Sequence, residues 1–259
     1  MDLMYVVAGA FTGFIVGLTG VGGGALMTPI LLLLFHVAPT TAVATDLWFA
    51  TLTKMAALLI HHHQQQVDWH VVRKLWLGSL PSALVMIIAL LTGLLTTIHS
   101  TYLTSIIGGV ILFTALGLLI KGWLLNYLSY CQFSHNQPYR HIQDKLTILA
   151  GIILGVLVSL TSIGAGALGS VMLLYLYPTQ MTPNRLVGTD IAHAIPLALV
   201  AGLGYLIGGH VDSHMLLSLL LGSLPTAILG SIAATQFKPG KLRFCLVAIL
   251  SVSGLKLMF

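Results

Sequence analysis

Lys54 stands inside the run TDLWFATLTKMAALLI, with Asp46 eight residues before it and no other basic residue nearby. Along a helix that separation is about 12 Å, a little over two turns, so ammonium and carboxylate can face the same interior side. A charge in the middle of an apolar segment is costly, and such groups mark substrate or ion sites. Lys54 is therefore a candidate for the positive charge of an anion site. The alternative is that its long stem carries the charge out to the nearer interface. Asp190 and His193 lie three apart, on one helical face. If buried, both pay desolvation for their charged forms, which makes them either a proton relay or a hydrogen-bonded pair tying helices together. Asp46, Asp190 and His193 are accordingly the candidates for carrying a coupling proton or ion.

Two glycine-rich stretches supply a second kind of chemistry: LTGVGGGAL at residues 18–26 and LTSIGAGAL at 160–168. Glycine lets another group approach the main chain closely. In membrane transporters, broken helices present their N-terminal N–H groups, and the positive end of the helix dipole, to an anion. Gly22, Gly23 and Gly24 open one short apolar segment, and Gly164 and Gly166 open another. Both are candidates for such a cradle, with Thr45 and Thr189 as neutral hydroxyl donors. The competing reading is that the glycines only let helices pack closely. A nucleotide-phosphate site is excluded, because no Gly-Lys-Ser/Thr follows and no βαβ pattern exists.

Other polar runs point to no enzyme. His61, His62 and His63 precede three glutamines, but consecutive helical residues point about 100° apart and cannot grip one ion. They read as the polar cap of a helix end. H-E-x-x-H, G-x-S-x-G and paired acidic motifs are all missing from the sequence, so no catalytic residue, metal or cofactor is expected. A membrane-embedded metal- or His-dependent enzyme stands as the alternative of a different class, beside a transporter of some other small anion.

The elements that must hold these residues follow from composition. Of 259 residues, 57% are hydrophobic and 7% charged, with no glutamate, and the mean hydropathy is +1.00. Globular domains carry roughly 25% charged residues, so a water-soluble surface cannot be built here, and the bilayer is the expected surrounding. The formal net charge of +5 does not indicate nucleic acid, since the basic residues sit in short loops between apolar runs. Cys131 and Cys245 have neither metal nor disulfide spacing. The start, MDLMYVV, lacks the basic region of a cleaved signal peptide.

Ten apolar segments are expected, near 3–18, 24–35, 40–60, 71–95 and 100–124, then 146–160, 166–177, 184–207, 214–235 and 242–258. Those beside the glycine stretches are short enough to end inside the membrane. The halves are copies: the glycine stretches match at an offset of 142, and past them the offset is 144. Thr45-Asp46 meets Thr189-Asp190, Val67-Asp68 meets Val211-Asp212, and GSLP at 78–81 meets GSLP at 222–225. Five segments per copy is odd, so the copies must have opposite orientations. Counting loop Lys and Arg by parity places nine on one side and only Lys256 on the other, a strong positive-inside signal. The expectation is an all-α polytopic membrane protein of the cytoplasmic membrane, a 5+5 inverted repeat with broken or re-entrant helices at the glycines. Residues 1–128 form the first repeat, 129–145 a cytoplasmic linker and 146–259 the second repeat, with both termini outside.

This set of motifs resembles one family. A GxGGG-type stretch before a short helix, then AVATD or LVGTD, then Val-Asp, then GSLP, all duplicated, is similar to the sulfite exporter TauE/SafE family along almost the whole chain. The resemblance implies a bacterial-type transporter of sulfite, sulfonates or other small sulfur-containing anions, most naturally an exporter. It places Gly22, Gly23, Gly24, Thr45, Gly164, Gly166 and Thr189 at motif positions. Asp46 and Asp190 stand where many members carry serine. With no ATP-binding motif, the driving force would come from a gradient.

Overall fold

The apolar runs end where the sequence supplies helix caps and breakers. The computed structural model describes residues 2–19, 24–63, 67–93, 100–130, 140–164, 166–177, 181–233 and 239–258. All regular structure among them is helical. The first half holds α1 (Leu3–Thr19), α2 (Gly24–Leu33), α3 (Pro39–His63), α4 (Trp69–Leu91) and α5 (Ser100–Tyr130). The second holds α6 (Arg140–Thr161), α7 (Ala167–Leu176), α8 (Pro183–Ile207), α9 (Ser213–Ala233) and α10 (Pro239–Met258). Each lies within a few residues of its expected segment, except that α5 and α6 reach into the polar stretch 129–145 from both ends. Asp68 caps α4 by accepting the N–H groups of His70 and Val71, and Thr182 caps α8 through the N–H of Arg185.

Among the described residues, five helices are long and apolar enough to cross a membrane: α4, α5, α6, α8 and α9. The glycine-led helices α2 and α7 have only ten residues each, a rise of about 15 Å against a hydrocarbon core of about 30 Å. Large apolar side chains such as Leu84, Ile88, Leu116, Ile228 and Ile232 point outward, as a lipid-facing surface requires.

The packing is paired throughout. α1 lies along α9 and α4 along α6; α5 packs on α10 and α3 on α8. The short α2 rests on α3 and α10, and the short α7 on α8 and α5. Moving every helix five places along the order returns each of the pairs just named. The correspondence reaches single residues. A Cβ at Gly9 would run into the Leu219 carbonyl, and one at Gly151 into that of Leu75. Gly13 likewise abuts the backbone of Ser223, and Gly155 that of Ser79, while Gly222 meets the Val6 carbonyl and Gly78 that of Ile148. Each pair keeps the 142 and 144 offsets of the sequence. Backbones this close need small residues at the crossing.

Candidate anion site at the α3–α8 pair

α3 and α8 pack together, and they carry the four titratable candidates. Asp46 is fully buried on α3 and Lys54, eight residues on, is 6% exposed. Asp190 is 4% exposed and His193 fully buried, both on α8. Among the described residues Lys54 is the only buried lysine or arginine. Its ammonium is close enough to act electrostatically on both carboxyl groups and on His193. The structure therefore brings together all four charged candidates and gives Lys54 an acid on the other half of the chain as well as one on its own helix.

The short helices close on the same place. Thr28 of α2 donates its hydroxyl to Asp46 Oδ2. The break between α6 and α7 runs from one acid to the other. At its start the Ser162 side chain acts on the Asp46 carboxyl, and in the first turn of α7 Gly169 lies so near Asp190 Oδ1 that a Cβ there would collide with it. The break is tightly folded. Gly164 and Gly166 have φ of +120° and +128°, and Ser162 has φ +59°, a left-handed conformation that costs an L-residue about 1–2 kcal/mol. Strain of this kind collects at functional sites. The residue matching Ser162 in the first copy is glycine, Gly20.

Hydroxyls and ring nitrogens complete the cluster. His193 Nε2 is 3.0 Å from Ser79 Oγ on α4, and the Trp76 indole donates to the His193 carbonyl at 3.2 Å. Thr45 Oγ1 and His193 Nδ1 are buried with no hydrogen-bond partner among the described residues. Buried polar atoms are normally paired, so these two atoms have capacity left for a ligand. Thr189 differs from its counterpart Thr45: its Oγ1 accepts the Asp68 N–H at 2.9 Å, fastening the start of α4 to α8.

The cradle expected at the glycines is described for one copy. Gly166 caps α7 without any side-chain hydrogen bond, but the N–H groups of Leu168 and Gly169 both go to the Gly164 carbonyl at 3.1 Å. The hydroxyls and Lys54 thus carry more of the available polarity than the helix end does. Gly22 and Gly23 lie outside the described residues, and Gly24 is the first residue of α2. His61, His62 and His63 end α3, with side chains outside the described set. Among the described residues no group of three His, Cys, Asp or Glu could hold a metal. Thr28, Ser79, Ser162 and Gly169 lie against this cluster and are passed over by sequence reasoning.

An open groove of about 810 Å³ lies elsewhere, between α1, α2 and α10, with residues such as Leu3, Phe11, Pro29 and Val252 in its wall. Its lining is apolar apart from Ser253 and Lys256, and it shares no residue with the charged cluster.

Comparison with known proteins is consistent over the full length. The profile of the family described as Sulfite exporter TauE/SafE matches residues 5–257. The chain is 36% identical over 266 residues to the probable membrane transporter protein YjnA of Bacillus subtilis, covering 100% of both. It is 26% identical to the probable membrane transporter protein YdhB of the same organism, covering 95% of this chain and 96% of the other. With the probable membrane transporter protein MJ0441 of Methanocaldococcus jannaschii the identity is 24%, over 97% and 93%. No solved structure matches.

Proposed function

The chain belongs to the sulfite exporter TauE/SafE family, and on that premise we propose that it is a secondary transporter moving a small sulfur-containing anion, sulfite or an organosulfonate, out across the cytoplasmic membrane. The observation that carries this reading is that one buried lysine and two buried carboxyl groups lie on the packed α3–α8 pair, against which two half-length helices rest. A soluble partner cannot reach such a cluster, whereas a small anion that replaces a carboxylate at Lys54 can. In this reading Lys54, Thr45, Gly22, Gly23, Gly24, Gly164, Gly166 and Thr189 form the substrate site. Asp46, Asp190 and His193 answer the change in charge, exchanging a coupling proton.

The paired packing supports an inverted repeat as the machinery of alternating access. α3 with α8 and α5 with α10 lie on the repeat axis, and each half lends its fourth helix to the first helix of the other. The ten-residue helices α2 and α7 serve as the broken elements that end at the substrate.

Reconstituted into lipid vesicles without ATP, the protein is expected to carry radiolabelled sulfite or methanesulfonate down an imposed gradient. Flux no greater than that of empty vesicles for every sulfur anion tried would remove the proposal.

A further inference from the structure

The two halves of the chain match in sequence but not in what their equivalent residues hold. At the end of the α3–α8 pair assigned above to the cytoplasm, α4 is fastened to α8. The Asp68 N–H donates to Thr189 Oγ1 at 2.9 Å, and Arg185, at the start of α8, pairs with the Asp68 carboxylate at 3.0 Å. Beside them Val67, Val72 and Ala192 form a buried apolar seam with Trp76 packed against it. At the opposite end the repeat puts Val211-Asp212 at the start of α9 and Thr45 on α3. Asp212 caps α9 by accepting the Met215 N–H at 3.0 Å, as Asp68 caps α4. The fastening is missing there: Thr45 Oγ1 is buried without a hydrogen-bond partner among the described residues, Val211 is only half-buried and Asp212 is exposed. A buried hydroxyl is normally paired, and the repeat provides a partner for this one, the Asp212 N–H.

The helices that would bring it there are already grouped. Glycine crossings hold α4 to α6 and α1 to α9, backbone against backbone, so each pair can shift as one body. Here α4 packs along α8 more closely than α9 along α3. Fastening both ends would seal the polar cluster from either side, and releasing both would open it to both. One end fastened and one free is the arrangement observed, and exchanging the roles of the two copies gives its opposite.

We propose, resting on the transport reading above, that Thr189 and Thr45 are alternating latches: Thr189 holds the Asp68 N–H and closes the cytoplasmic end, and in the opposite state Thr45 holds the Asp212 N–H while Thr189 is released. Whichever threonine is unlatched has its hydroxyl free for the substrate. The two latches are unequal. Arg185 reinforces the one, but its counterpart is Thr41; Lys74, which pairs with Asp144 on the same side, has Ser218 as its counterpart. The protein without substrate therefore rests closed toward the cytoplasm. Ion pairs this exposed contribute little, which suits a latch that must open in every cycle.

Thiol accessibility of the purified protein in detergent tests this without any substrate. With Cys131 and Cys245 replaced by serine, Val67→Cys and Val211→Cys are made in separate proteins and their rates of reaction with a maleimide are compared. The Val67→Cys thiol should react slowly and the Val211→Cys thiol quickly. Adding Thr189→Val, which keeps the shape and removes the acceptor, should make the first faster and the second slower. The ratio of the two rates should change by about fivefold, the effect of one net hydrogen bond on a two-state equilibrium. Arg185→Gln, at the surface where folding is not at stake, should move both rates the same way by a smaller factor. A faster Val67→Cys thiol beside an unchanged Val211→Cys thiol would show that the bond merely holds α4 in place, and would overturn the latch while leaving the transport reading intact. Rates unchanged at both positions in both variants would overturn it as well. Reciprocal rates in a protein that moves no sulfur anion would uphold the latch and remove the transport reading instead.

Discussion

Thr28 shows how a single hydroxyl can matter in so apolar a protein. It is fully buried and donates to Asp46 Oδ2, which is also fully buried. Removing one partner of a buried hydrogen bond leaves the other unsatisfied, at a cost of about 1–3 kcal/mol. Thr28→Val keeps the shape and deletes the donor, so it should lower the thermal midpoint in detergent by that order. Asp46→Asn should do so too, and the double variant should fall short of the summed loss by about 0.5–3 kcal/mol. Strict additivity would show that the two groups do not interact. Asp46, Lys54, Asp190 and His193 are legible in the sequence because a titratable group inside an apolar run needs a reason to be there. Thr28 and Ser162 are not, since hydroxyls are common in membrane helices and satisfy themselves on their own backbone, as Thr51 does on the Leu47 carbonyl. The one trace of Thr28 is that its counterpart at an offset of 142 is another hydroxyl, Ser170.

Helix boundaries were readable to within a few residues because the apolar runs stop at Pro, Gly or polar clusters. The choice of partner was not. Gly9 and Gly13 on α1, and Gly151 and Gly155 on α6, have the four-residue spacing of close helix contacts, but nothing in that spacing says whether the helix opposite is a neighbour in the chain or one eight places away. The structure supplies α9 and α4, and with them a graded prediction. A Cβ at Gly155 meets the backbone and side chains of α4, while one at Gly109 of α5 meets nothing within 4 Å. Gly155→Ala should force α4 and α6 apart and cost about 1–3 kcal/mol, the usual penalty of overpacking. Gly109→Ala should be neutral or slightly stabilising, since alanine is the better helix former. Equal thermal midpoints for the two variants would contradict the close crossing. Because Ser79 sits at that crossing and faces His193, Gly155→Ala is also expected to disturb the buried polar cluster from the other side of α4.

For the molecule as a whole, the duplication was legible from motif register alone, whereas the packing of one copy against the other is a tertiary fact that no local pattern encodes. Orientation in the membrane stays a matter of loop charge. Nine of ten loop Lys and Arg fall on one side by parity, so the segment around His135 should be cytoplasmic and both termini outside. With Cys131 and Cys245 replaced, a cysteine placed at Asp2 should react with an impermeant maleimide on intact cells and one at His135 should not. The reverse pattern would invert the assignment. The contact between α1 and α9 has a further consequence, which concerns time. Gly9 must wait for Leu219, 210 positions later, whereas its counterpart Gly151 meets Leu75, made 76 positions before it. At about 5–20 residues per second of synthesis, α1 spends roughly 10–40 s in the membrane with its glycine face uncovered, while α6 finds α4 already present as it emerges. Two crossings with the same geometry in the finished protein are thus unequal during its birth, and α1 is the helix most dependent on an insertion machine to shelter it.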